Sequence, residues 1–261
     1  MNVNEEVKLF RTALYAGEIM VKSGSETYRA EDTIKRMLAS KGFLNISTFV
    51  SPTVIILGDN LKDGNCYIKN IPKRSSNLAR IENVNKVSRS FVEGKLSTDE
   101  AMEKLKVIEN ESPYPYWLMC LGCGVSCAAF AILIGGNYTD FIATLITSIL
   151  ALHLNEIINA ASNTVFLGNF IASFIVSVVA ILFSKIGLGS SLESTIVGSV
   201  LPLVPGVAFT GGVRDFITGD LISGTARCIE AIMIGIAIAF GVGVCMTVFN
   251  AFGGLWWIIG F

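Results

Sequence analysis

The sequence is short of charge and nearly devoid of histidine. Only 16% of its 261 residues are Asp, Glu, Lys or Arg, against about a quarter in an ordinary soluble domain. Hydrophobic residues make up 52% and mean hydropathy is +0.60. These figures exclude a disordered chain, a collagen, a coiled coil and a basic nucleic-acid binder, and they imply a membrane protein. The one histidine, His153, has no nucleophile partner such as a G-x-S-x-G elbow. No G-x-x-x-x-G-K-[ST] is present, so nothing supports ATP-driven transport by this chain alone. The first residues carry neither a basic n-region nor an apolar h-region, so no cleaved signal peptide is expected. No lipidation motif is found either. The six cysteines include Cys120, Cys123 and Cys127 in a C-x-x-C-x-x-x-C string. Their neighbours are apolar, so they read as small hydrophobes, with no metal, cofactor or disulfide framework expected.

What charge there is lies mostly in the first half. Residues 1–112 hold 17 Lys/Arg and 15 Asp/Glu, which is 32 of the 41 charges. The remaining nine are Lys185, Arg214, Arg227, Asp140, Glu156, Glu193, Asp215, Asp220 and Glu230. The chain therefore reads as a soluble α+β domain over 1–112, followed by a helical multi-span membrane domain over 113–261.

In the first half, Val3, Val7, Phe10, Leu14 and Val21 recur at helical spacing and predict a helix over 4–22. Gly24 stops it. Ser25 is placed to cap a second helix over 26–41, which Gly42 ends. Residues 45–50, 53–57 and 66–70 are short and β-rich, with turn chemistry at Asp59-Asn60 and Asp63-Gly64 and an interruption at Pro52. Two helices follow. One carries Ile81, Val84, Val87, Ser88 and Phe91, and the other opens on a capping box, Ser97 with Glu100. The predicted order is ααβββαα.

In the second half, Pro113 to Trp117 form a junction with belt-like aromatics. Five spans are predicted, at about 117–136, 139–157, 165–186, 194–213 and 228–250. The tail from Gly253 to Phe261 is too short to cross again and reads as interfacial. The basic residues place the N-terminal domain in the cytoplasm. Three features carry chemistry. Pro202, Pro205 and Gly206 interrupt the fourth span and free carbonyls near Gly198 and Leu201, either as a simple kink or as the broken helix of a transporter. His153 and Glu156 share a helix face near Asn155, Asn159, Ser162 and Asn163, either at a proton path or at the membrane boundary. Gly211 to Arg227 read as a glycine-rich loop in which Arg214 or Arg227 could attract carboxylates, beside Asp215 and Asp220. The polar run from Ser23 to Asp32, with Gly24, Glu26, Thr27, Tyr28 and Arg29, reads from spacing as a capped helix junction.

Several of these segments together resemble the threonine/serine exporter family, and more closely its split, two-component form. They are Ser23 to Ile34, Ser51-Pro52-Thr53, Val84 to Arg89, Tyr114 to Trp117, Leu201 to Gly206, then Arg214-Asp215 and Gly219-Asp220, in that order. The resemblance implies export of small carboxylate metabolites, threonine/serine or dicarboxylates such as succinate, across a bacterial inner membrane, driven by an ion gradient. It also implies a second, small membrane subunit. On that reading Pro202, Pro205, Gly206, Arg214, Asp215, Asp220 and Arg227 line the substrate or ion pathway. His153, Glu156 and Asn159 couple protons, and no nucleic acid is involved. Two other readings stand beside it: a membrane-anchored ligand sensor, and a membrane enzyme using Glu156 or Asp215.

Overall fold

The computed structural model describes residues 3–59, 66–110, 114–162 and 164–259, with side chains described as far as Ala251. Asn60, the Asp63-Gly64 turn, Pro113 and Asn163 lie outside the described residues, as do the side chains of the aromatic tail. The chain packs as two compact units, each assembled from two stretches. The first combines Met1–Pro113 with Gly206–Glu230, and the second combines Tyr114–Pro205 with Ala231–Phe261.

The first unit begins with α1 (Val3–Lys22) and α2 (Thr27–Ala39). Leu9, Phe10, Ala13, Ala16, Ile19 and Met20 of α1 are fully buried, and Ala30, Ile34, Met37 and Leu38 of α2 join them. Each large apolar side chain buried in this way contributes about 1.5–3 kcal/mol. Gly17 permits the close approach of the two helices, because a Cβ there would fall 2.8 Å from Ile34 Cγ1. Phe10 meets Phe43 edge-on at 5.0 Å and stacks on Tyr67 at 5.4 Å. At the rim of this core Lys22 Nζ bridges Glu18 at 2.7 Å and Glu109 at 2.8 Å, while Tyr15 donates to Glu109.

The strands β1 (Ile46–Val50), β2 (Val54–Asp59) and β3 (Cys66–Asn70) form an antiparallel sheet in the order β1-β2-β3. Ile55 and Leu57 alternate into the core, as period-two patterning requires. Pro52 sits in the β1–β2 turn. Ser51 closes that turn, its amide donating to Val54 O at 2.8 Å and its Oγ accepting from the Val54 amide at 3.1 Å.

Two helices follow, α3 (Leu78–Val92) and α4 (Thr98–Asn110). The predicted inner stripe of α3 is buried. The predicted capping box of α4 forms: the Ser97 amide donates to Glu100 Oε2 at 2.7 Å and the Glu100 amide to Ser97 Oγ at 3.3 Å. The cap expected for α2 does not form. The Ser25 hydroxyl donates to Glu26 O instead, and α2 takes its cap from a distant residue described below.

The second unit contains α5 (Tyr116–Leu133), α6 (Tyr138–Ser162), α7 (Val165–Lys185) and α8 (Leu192–Val200). Small residues face inward, among them Ala128, Ala143, Ala151, Ala172 and Ala180. Large apolar side chains such as Trp117, Leu133, Leu182 and Phe240 face outward. This is the reverse of a soluble core and suits helices solvated by lipid. Gly198 of α8 seats against α6, since a Cβ there would lie 2.7 Å from Thr144 Cγ2. Asp140, fully buried at the start of α6, accepts from the amides of Asn137 (2.7 Å) and Ser191 (2.9 Å) and from Ser190 Oγ (2.9 Å). It ties the α7–α8 connection to the head of α6.

Among the described residues, four helices are long and apolar enough to cross a membrane: α5, α6, α7 and Leu221–Ala251. A broken pair, Leu192–Leu203 and Gly206–Ile217, makes a fifth if counted as one span. The break itself differs from expectation. A 3-10 turn covers Leu201–Leu203. The Gly198 carbonyl accepts from the Leu201 amide and the Leu201 carbonyl from the Val204 amide at 3.1 Å. The carbonyls expected to be free are satisfied by tightening the helix end.

The segment from Gly211 to Arg227 is not a loop. It forms the end of α9 (Gly206–Ile217) and the start of α10 (Leu221–Ile259), joined by a short turn with Gly219 at φ +90°. Its glycines serve close packing. A Cβ on Gly212 would lie 2.8 Å from Cys228 Sγ, and one on Gly224 2.9 Å from the Phe216 ring. The last helix accordingly starts seven residues before the span expected at 228.

Candidate functional site

The first unit gathers two groups of residues that lie far apart in sequence. The polar run at the head of α2 meets the charges of α9 and α10. Asp215 is fully buried, and its Oδ1 accepts from the Thr27 amide at 3.3 Å and lies 3.1 Å from Thr27 Oγ1. A carboxylate 188 residues away thus caps α2 and meets the positive end of its dipole. Asp220 Oδ2 lies 2.8 Å from the same Thr27 hydroxyl. One hydroxyl proton serves one acceptor at a time, so the two carboxylates compete for it.

Arg227, 4% exposed, completes the cluster. Its Nη2 donates to Ser25 O at 2.6 Å, and its Nε stands 3.2 Å from Asp215 Oδ2. That contact is an ion pair out of hydrogen-bond alignment, and both atoms lack a hydrogen-bond partner. Gly211 makes room for the guanidinium, because a Cβ there would lie 3.0 Å from Arg227 Nη1. Gly24, at φ +88°, turns the chain between α1 and α2 in a conformation that favours glycine.

Glu26 stands at the edge of this cluster. It accepts from Arg214 and, at 3.3 Å, from Arg29 Nη1. Burial would raise its carboxyl. Its own backbone amide, the Arg214 hydrogen bond and the Arg29 charge outweigh burial and hold it below the ordinary carboxylate range. Beside it lies a cavity of about 470 Å³, walled within the same unit by α2, α3 and α9. Gly24, Glu26, Arg29 and Arg214 reach it from the expected set. Asn85, Lys86, Arg89 and Thr210 also line it. Spacing alone did not mark these as site residues; the only sign was that the α3 segment from Val84 to Arg89 was among the stretches carrying the family resemblance.

The other expected residues fall elsewhere. Tyr28 is 41% exposed on α2. Pro202 and Pro205 belong to the second unit, and Gly206 opens α9. In the second unit His153 Nδ1 pairs with Tyr116 Oη at 3.1 Å. Asn159 Nδ2 donates to Asn155 Oδ1 at 3.0 Å, while His153 and Glu156 are exposed. Among the described residues no group of three His, Cys, Asp or Glu side chains is placed to hold a metal ion.

Comparison with known proteins gives these residues a context. The model of the threonine/serine exporter family, ThrE, matches residues 11–249. A probable succinate transporter subunit, YjjP, of Klebsiella aerogenes is 25% identical over 253 residues, covering 96% of this chain and 97% of the relative. Its namesake in Escherichia coli is 23% identical over 256 residues, covering 97% and 99%. A probable threonine/serine exporter of Mycobacterium tuberculosis is 21% identical over 239 residues, covering 90% of this chain but only 45% of the relative. No solved structure matches the chain. The family consists of transporters, not enzymes, and with the match running over most of its length this chain belongs to the threonine/serine exporter family.

Proposed function

We propose that the chain is one subunit of an ion-gradient-driven secondary exporter of small carboxylate metabolites across the bacterial inner membrane, with its N-terminus in the cytoplasm. The cargo is threonine/serine or a dicarboxylate such as succinate, and a second small membrane subunit completes the pathway. The observation that carries this reading is the buried ion pair of Asp215, on the second half of the broken pair, and Arg227, on a helix long and apolar enough to cross a membrane. Ionised groups on such helices are costly, and they generally mark a substrate or ion route. Relatives named as a transporter subunit and as an exporter support the same reading.

In this mechanism Arg214, 59% exposed at its side chain, draws in the anionic cargo. The Asp215–Arg227 pair, with the competing Asp220, is the element whose hydrogen bonds rearrange between inward-facing and outward-facing states. Pro202, Pro205 and Gly206 supply the flexible joint of the broken span. His153 and Glu156, with Asn159 on the same helix, carry the coupling proton. The test is counterflow in proteoliposomes holding both subunits, with Arg214→Ala and Glu156→Gln. Loss of transport in correctly assembled complexes is expected, and wild-type transport by both variants removes those two roles.

A further inference from the structure

The cavity beside Glu26 has a charge pattern that the ion pair next to it does not explain. Four cations line it, Arg29, Lys86, Arg89 and Arg214, against two carboxylates, Glu26 and Glu82. The wall therefore carries an excess of two positive charges. The carboxylates are already engaged, Glu82 by Lys86 at 2.7 Å and Glu26 by both arginines of α2 and α9. Arg89 makes no ion pair among the described residues. The wall thus offers cations without a matching acid, and no unengaged acid to receive an ammonium group.

Glu26 is the informative residue. Its side chain is 13% exposed, while those of Arg214 and Arg29 are 59% and 41% exposed. One carboxylate held between two solvent-exposed guanidiniums is the arrangement that a bound carboxylate would adopt. From this geometry we infer that the cavity is a binding site for a small dicarboxylate, in which Glu26 is a built-in competitor for Arg214 and Arg29. One end of the ligand takes the two guanidiniums from Glu26. The other end reaches Arg89 and Lys86 across the α3 wall. A volume of about 470 Å³ accommodates a four-carbon diacid with its water. The inference rests on the exporter reading only in taking carboxylates as cargo, and it places their capture in the first unit.

The experiment is isothermal titration of the full-length purified protein in detergent with succinate, threonine and inorganic phosphate. Proteoliposome transport is measured in parallel. Succinate is expected to bind the wild type more tightly than threonine or phosphate. Arg89→Gln, at an exposed position, should weaken succinate about tenfold, the worth of one charge-assisted contact. Glu26→Gln should tighten it about three- to tenfold by removing the competitor. Succinate binding that ignores both variants, phosphate binding as tight as succinate, or no succinate binding at all overturns the proposal. If transport persists in any of those cases, the exporter reading stands without the cavity. Binding that responds to both variants while no carboxylate is transported supports the cavity and removes the exporter reading.

Discussion

Replacing Asp215 by alanine isolates the energetics of the buried pair. The wild-type carboxylate is fully buried, caps α2 through the Thr27 amide, and stands 3.2 Å from Arg227 Nε. Its removal leaves a guanidinium that is 4% exposed and, among the described residues, has only the Ser25 carbonyl as hydrogen-bond acceptor. Stranding one member of a buried ion pair costs about 3–5 kcal/mol. The lost cap, worth about 1 kcal/mol alone, involves the same carboxylate and is not added on top. Local opening at the head of α2 should therefore become roughly a hundredfold to several thousandfold more frequent. Hydrogen exchange read by mass spectrometry on peptides covering α2 measures this directly, because amides there report the opening. The double variant Asp215→Ala/Arg227→Met removes the stranded charge and should recover most of the protection. Exchange in the single variant within threefold of wild type, or a double variant no better than the single, would refute the argument that an unpaired charge dominates.

Three further outcomes follow from the packing. Ser97→Ala should cost about 1 kcal/mol and raise exchange in the first turn of α4 alone, because the capping box is local. Gly198→Ala should lower the melting temperature of the detergent-solubilised protein. Its Cβ would meet Thr144, Ala131 and the Cys127 carbonyl within 3.2 Å, and overpacking of this kind costs about 1–3 kcal/mol. Burial would raise the Glu109 carboxyl, but the Lys22 and Tyr15 hydrogen bonds outweigh it and hold the group below its ordinary value. A depressed folded-state value means the stabilisation is complete above the unfolded carboxylate range near about 4.3 and is lost as pH falls through that range towards the folded value. Melting temperature against pH should therefore fall less steeply on the acid side in Glu109→Gln, and an unchanged acid limb would contradict this.

Local signals in the sequence were legible to the extent that their partners were close. Ser97 and Glu100 are three residues apart, and their box forms as spacing predicts. The apolar stripe of α3 and the period-two burial of β2 follow from the same short-range logic. The cap of α2 was not legible, because Ser25 is an adequate local candidate and nothing nearby reveals that Asp215 takes the position. Glycine misled in the same way. The residues from Gly211 to Gly224 look like a flexible connection, yet Gly212 and Gly224 are there to let α9 and α10 touch. The pairing of Glu26 with Arg214 joins two motifs that could be recognised separately, while their contact depends on a tertiary arrangement that neither spacing contains. Arg89 and Thr210 line the cavity for the same reason.

The first unit is completed by residues that leave the ribosome late. Gly206–Glu230 follows Pro113 only after the whole of Tyr114–Pro205 has been made. At a synthesis rate of about 5–20 residues per second, the early helices wait for several seconds to some tens of seconds before Asp215 and Arg227 arrive. During that interval the nascent chain carries α2 with an open amide and an unoccupied slot for a guanidinium, a state that a chaperone or the insertion machinery has time to meet.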